Sequence, residues 1–181
     1  MDYKIDIAAN RKASKWTRRE LFGRICWELV GSRLFAWSPR PAWGWRRSVL
    51  RLFGATIGQA VRIDPTVRIT IPWHLSLGDD IGIGERVALY SLGQISIANG
   101  ATISQNAHLC AGSHDFRGPD MRLTKPPIVI GKGAWICADA YIGPGVTIGD
   151  FGVVAARAVV VRDVAAGSVV AGNPAVQVGV R

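Results

Sequence analysis

The stretch IGKGAWICADAYIGPGVTIGDFGVVAARAVV, Ile130–Val160, places an aliphatic residue at every sixth position: Ile130, Ile136, Ile142, Ile148, Val154 and Val160. A period of six is neither helical nor a simple alternation. It is the signature of a parallel β-helix built from hexapeptides. Toward the N-terminus the same grid runs through Ile57, Ile63, Ile69, Leu77, Ile83, Leu89, Ile97, Ile103 and Leu109, which makes fifteen anchors in all. The next residue is usually small (Gly58, Gly78, Gly131, Gly149), as a tight corner asks, and the fourth is small or β-branched (Val61, Val67, Ala101, Ala134). Three hexapeptides make one coil of a three-sided prism, so the fifteen anchors predict about five coils. The coils stack at the roughly 4.8 Å spacing of paired strands.

Where the grid slips, the chain leaves the prism. Two extra residues lengthen the same corner between Ile69 and Leu77 and again between Leu89 and Ile97. Between Leu109 and Ile130 the grid is lost for fifteen residues, and that segment, 113–127, is predicted to be a loop thrown out from one corner. The domain reading is therefore a β-helix over 57–181, with this loop and a C-terminal tail, preceded by a separate segment over 1–56.

That N-terminal segment is basic and aromatic. It holds 12 Lys or Arg against 4 Asp or Glu, where residues 57–181 hold 10 against 9, and it contains Trp16, Trp27, Trp37, Trp43 and Trp45 of the seven tryptophans. Leu21, Phe22, Ile25, Leu29 and Val30 predict a helix from about Thr17 to Trp37. Ser38–Pro41 breaks it, and Trp45, Val49, Leu52 and Phe53 predict a second. Arg24, Glu28, Arg33, Arg46, Arg47 and Arg51 interrupt every apolar run short of the ~20 residues that a bilayer requires. Two roles stay open: the aromatics cap the open end of the prism, or the basic helices lie in an anionic membrane interface. No recognised nucleic-acid module accompanies the charge. Cys26, Cys110 and Cys137 are too scattered for a disulfide framework and no secretory signal precedes them, so the expected location is cytoplasmic, peripheral at the inner membrane face if the helices bind lipid.

Three histidines occur, His74, His108 and His114, each five places after an anchor, in what the grid predicts to be an outward corner slot. His74, Gln94 and His114 fall at the same slot of successive coils. Imidazole is the side chain best matched to proton transfer near neutral pH, and His114 alone stands at the root of the long loop.

At this point the chain resembles the hexapeptide acyltransferases, and within them the colanic acid and exopolysaccharide O-acetyltransferases. The resemblance rests on YSLGQISIANGATISQNAHLCAGSHDF (Tyr90–Phe116) with its GSHD motif, on LFAWSPRP (Leu34–Pro41), LRLFGATIG (Leu50–Gly58) and PWHLSLGDD (Pro72–Asp80), and on AGNPA (Ala171–Ala175). It implies a left-handed β-helix, a homotrimer with sites between subunits, and acetyl transfer from acetyl-CoA to a sugar hydroxyl of an exopolysaccharide precursor, free or lipid-linked. It implies His114 as general base and Trp135 lining the site from a neighbouring subunit. Coenzyme contacts are implied at Ala138, Ala156, Val161 and Arg162, and acceptor contacts at Tyr90 and Ser91, where relatives have asparagine in place of Ser91. Asp115, which replaces the proline of galactoside and maltose acetyltransferases, is a candidate for orienting the imidazole.

Direct transfer needs no acyl-enzyme, so Cys110 and Cys137, each following an inward anchor, read as packing residues. Two rival classes remain. Carbonic-anhydrase-like trimers of this fold bind zinc through histidines of two subunits, yet a shared slot two coils apart separates His74 and His114 by roughly 9–10 Å, long for ligands with Zn–N bonds of about 2.1 Å, and no metal is expected. A non-catalytic trimeric scaffold would keep the grid without GSHD or the loop. Amino sugars, antibiotics and amino acids are alternative acceptors on the same fold.

Overall fold

The computed structural model describes residues 5–181; residues 1–4 of the basic segment lie outside the described residues. The grid becomes three parallel sheets that form the faces of a prism. Strands beginning at Thr56, Leu75, Ile95, Ile128 and Thr147 make the first face. Those at Arg62, Gly82, Thr102, Trp135, Val153 and Ser168 make the second. The third face comprises those at Arg68, Ala88, His108, Tyr141 and Val159. Five complete coils result, and the Ile148–Val164 bridge and the strand Ser168–Gly172 begin a sixth. All fifteen anchors are buried, and so are the small or β-branched residues four places after them, such as Val61, Val87, Ala107 and Ala140. The tail Ala175–Val180 folds back antiparallel on Ser168–Gly172.

The corners work differently from the expectation. The small residue after an anchor does not supply the bend; it makes room for the next coil. A Cβ on Gly58 would stand 2.5 Å from the Gly78 carbonyl oxygen, and one on Gly131 would stand 2.5 Å from the Asp150 nitrogen. The bend comes two residues later, in left-handed backbone at Ala60, Asp80 and Phe151 on the first corner and Arg86, Asn106, Asp139 and Arg157 on the second, with φ between 53° and 61°. Such a residue costs about 1–2 kcal/mol when it is not glycine. Stacking offsets it: Asp80 N–H donates to Gln59 O at 3.0 Å, Asn106 to Glu85 O at 2.9 Å and Phe151 to Lys132 O at 2.7 Å.

The fifth position is also not a corner. Arg62, His108 and Trp135 there open strands and face outward.

Among the described residues the N-terminal segment contains four short helices, α1 (Ile7–Lys12), α2 (Arg18–Cys26), α3 (Ser32–Ala36) and α4 (Trp43–Leu52), with a π-helical turn, Trp27–Gly31, joining α2 to α3. The predicted Thr17–Trp37 helix is thus continuous from the Thr17–Glu20 capping box to Trp37. The helix α1 lies outside that expectation, although Asp6, whose carboxylate accepts from Ala9 N–H, is an N-cap legible in sequence.

Parallel sheets leave unpaired carbonyls on their first strands, and α2–α4 close them. Arg51 donates to Ile57 O at 2.7 Å and Gly58 O at 2.9 Å, Arg47 to Val61 O at 3.0 Å and Arg46 to Ile63 O at 2.6 Å. The Trp27 indole N–H donates to Ile69 O at 2.8 Å. Arg46 is fully buried, with Ser38 Oγ and the Pro39 and Arg40 carbonyls taking its other donors and the Trp43 ring over its guanidinium. Burial pushes that guanidinium down from its ordinary value, and the Asp64 carboxylate opposes the shift. Three arginines expected as options for a membrane face are therefore cap residues. Among the described residues no helix is long and apolar enough to cross a membrane.

Candidate active site

All the irregularity falls on the third corner, where the third face returns to the first. The first passage holds the 3₁₀ turn Pro72–His74, the second Ser91–Gln94 and the third the long loop. Ile128 re-enters the coil by donating to Gln94 O at 2.9 Å, so the register Leu75–Ile95–Ile128 puts Pro127 beneath Gln94. His114 is therefore not in the slot of His74 and Gln94, as the grid suggested. It lies outside the coil in a hairpin, Ser113–His114 against Leu123–Thr124. The intervening insertion consumed the repeat count.

In that hairpin the His114 ring is exposed, and its Nδ1 meets the Met121 carbonyl at 2.6 Å. With the proton on Nδ1 donated to that oxygen, Nε2 carries a free lone pair. Asp115 is not the orienting group. Its carboxylate accepts from Arg117 N–H at 3.2 Å and lies 3.8 Å from Arg122 Nε.

Tyr90 stands at the same corner, with its ring packed close to Gly112, two residues before His114. Ser91 is a correction. It is fully buried, its hydroxyl accepting from Ile71 N–H and donating to Ile71 O, both at 2.9 Å, so no hydroxyl is left for an acceptor.

The remaining candidates divide between sides of the prism. Val161 and Arg162 share the third corner with His114 and are exposed, Val161 being stacked on Gly143. Ala138 and Ala156 lie on the second corner, where Arg157 N–H donates to Ala138 O at 2.9 Å. Trp135 is on the second face, 46% exposed, its indole donating to Ser104 Oγ at 2.9 Å. One chain thus brings His114, Tyr90, Val161 and Arg162 to one edge and leaves Trp135 on another side.

Next to that edge, on the third face, polar and aromatic side chains form a half-buried stripe. The His108 ring stands edge-on between Tyr90 and Tyr141, with centroids 6.3 and 5.4 Å away. Burial, then the Arg68 charge, push the His108 imidazole down from its ordinary value. Burial and the contact with Cys110 push the Tyr141 phenol up to about 12. Burial also raises the Cys137 thiol, which is against a nucleophilic role. His74 is engaged elsewhere, its Nδ1 2.9 Å from Ser91 O. Among the described residues no three His, Cys, Asp or Glu side chains converge as metal ligands would.

The comparisons bear on the family and the fold. Residues 127–162 match the family described as bacterial transferase hexapeptide, six repeats. WcaF of Escherichia coli K12, named as a colanic acid biosynthesis acetyltransferase, is 48% identical over 150 residues, spanning 83% of this chain and 82% of that one. This chain belongs to the hexapeptide-repeat acetyltransferases. Solved members share the fold. A galactoside acetyltransferase in complex with coenzyme A superposes with a TM-score of 0.84 at 23% identity over 96% of this chain and 88% of that one. A Vibrio cholerae hexapeptide-repeat acetyltransferase complexed with acetyl coenzyme A gives 0.83 at 24% over 93% and 92%.

Proposed function

We propose that this hexapeptide-repeat acetyltransferase moves the acetyl group of acetyl-CoA to a hydroxyl of a saccharide in exopolysaccharide assembly, with His114 as general base. The observation that supports this most is the His114–Met121 bond. It fixes the tautomer in which Nε2 accepts a proton, on an exposed ring at the root of the loop. Nε2 takes the hydroxyl proton as the sugar oxygen attacks the thioester carbonyl. The C–S bond then breaks, and the imidazolium returns the proton to the departing thiolate. The position of Val161 and Arg162 on the same edge supports them as coenzyme contacts. The test is thiol release from acetyl-CoA with free sugars, nucleotide sugars and lipid-linked oligosaccharides as acceptors. Turnover with amino sugars or antibiotics alone would move the chain to another acceptor class.

The reading includes a trimer. His114 and Trp135 are on different sides of one prism, which supports a site completed by Trp135, Ala138 and Ala156 of a second copy. Subunits carrying His114→Ala mixed with subunits carrying Trp135→Ala should recover activity; mixtures as inactive as either parent would end the shared-site reading. It also includes peripheral membrane contact. Phe22 and Leu52 on the helical cap are 70% and 80% exposed and share a groove with the exposed Arg19, and Trp37, at the far end of the helix, is 85% exposed. Arg46, Arg47 and Arg51 are engaged with first-coil carbonyls. Vesicle sedimentation tests this contact, and equal binding to neutral and anionic lipid, or none to either, removes it.

A further inference from the structure

The N-terminal segment does more than cap the prism, because α1 crosses to the loop that presents His114. Asp6 N–H donates to Pro119 O at 2.7 Å. The Asn10 amide nitrogen donates to Asp120 O at 2.6 Å and to Met121 O at 2.7 Å. Lys15 Nζ donates to Asn10 Oδ1 at 2.9 Å, and Lys125 Nζ reaches Lys15 O at 3.3 Å and sits 3.6 Å from the centre of the Trp16 ring. The Met121 carbonyl thus receives two donors, one from Asn10 and one from the His114 imidazole.

We propose that Asn10 is a positioning residue for the base: it holds the Met121 carbonyl in the orientation that keeps the His114 proton on Nδ1. Three features support this. The amide can face only one way, since its oxygen meets the Lys15 ammonium and its NH₂ must then face the two carbonyls. Met121 has φ +43°, a backbone conformation that an L side chain disfavours and that needs outside restraint to persist. Finally, the hairpin that holds His114 is only two residues long on each strand and cannot fix the carbonyl by its own ladder.

The proposal rests on His114 as the base, and the experiment separates the two. In Asn10→Ala and Asn10→Asp, the Asp version placing an anion against two carbonyl oxygens, kcat should fall about tenfold with KM for acetyl-CoA within about twofold. In ¹⁵N-histidine-labelled protein, the His114 signal, assigned by its loss in His114→Ala, should shift from the Nδ1–H tautomer toward a mixture. A merely structural role would not move that tautomer. An unchanged tautomer, or unchanged kcat, overturns the proposal even where the other moves. If Asn10→Ala fails to fold, Lys15→Met, which releases only the amide oxygen, should move the same two quantities by a smaller amount. A tautomer or a kcat left unchanged by that variant overturns the proposal equally. An active His114→Ala would remove the base itself. An inactive His114→Ala beside a fully active Asn10→Ala would remove only the clamp.

Discussion

The first coil and the third corner meet the same problem, unpaired backbone, in opposite ways. At the first coil the ladder ends, and guanidiniums from α4, that of Arg46 fully buried, take the open carbonyls of Ile57, Gly58, Val61 and Ile63. At the third corner the ladder is interrupted, and a two-strand hairpin carries an exposed imidazole whose one backbone bond goes to a carbonyl gripped from α1. The former buries charge to complete a scaffold. The latter leaves a titratable group in the open with one nitrogen committed and one free. Removing a side chain should therefore cost stability at the first place and activity at the second.

The largest effect expected is on the activity side. His114→Ala should lower kcat by about a hundredfold or more, the low end of what a positioned base supplies, with Tm unchanged because the ring is exposed. Turnover within a few-fold of the unsubstituted enzyme would break the contrast at its stronger end.

Arg46→Ala should do the reverse. It strips Ile63 O, Ser38 Oγ, Pro39 O and Arg40 O of a buried donor and empties the space beneath Trp43, a loss of about 3 kcal/mol or more. For a chain of this size that corresponds to a Tm lower by roughly 6–12 °C. Arg47→Ala and Arg51→Ala, at partly exposed sites, should cost about 1 kcal/mol each. All three should keep their kcat per folded enzyme, measured by thiol release below the transition. A large drop in kcat with unchanged Tm would mean that the cap belongs to the site.

The periodic part of the molecule was legible because each anchor has one physical reason to be aliphatic, a place in a core three side chains wide. What the period hides is the function of positions that share a slot. Gly58 reads as a turn residue, yet it makes room for Gly78, and Ala60, two places on, adopts the left-handed bend. His114 stood out through its GSHD resemblance and its place at the break, while the slot count that paired it with His74 failed once the insertion began. Ser91 was implied as an acceptor contact by the resemblance and is occupied by Ile71. Asn10 and Met121 left no trace in the sequence, because the amide meets a backbone carbonyl 111 positions away and backbone carbonyls have no residue type. The arginines were ambiguous for a related reason: charge and helical spacing are the same whether a guanidinium faces lipid or a carbonyl.

The smallest effect sharpens the comparison from within the regular repeat. His108 is a titratable group that the scaffold half buries on the third face, among Tyr90, Tyr141, Cys110 and Arg68. Burial, with Arg68 adding to it, holds its folded-state pKa below the ordinary value of about 6.5. The fold therefore favours the neutral ring, and the unfolded chain binds the proton more readily. The stability that this provides is present above about pH 6.5 and is lost as pH falls through the depressed folded value. His108→Gln should flatten the Tm profile over that acid window while leaving the value at pH 8 close to that of the unsubstituted protein. Parallel Tm curves for the two proteins from pH 8 to pH 5 would show that the ring is protonated as easily in the fold as outside it. Exposure of the imidazole would then no longer set the third corner apart from the face beside it.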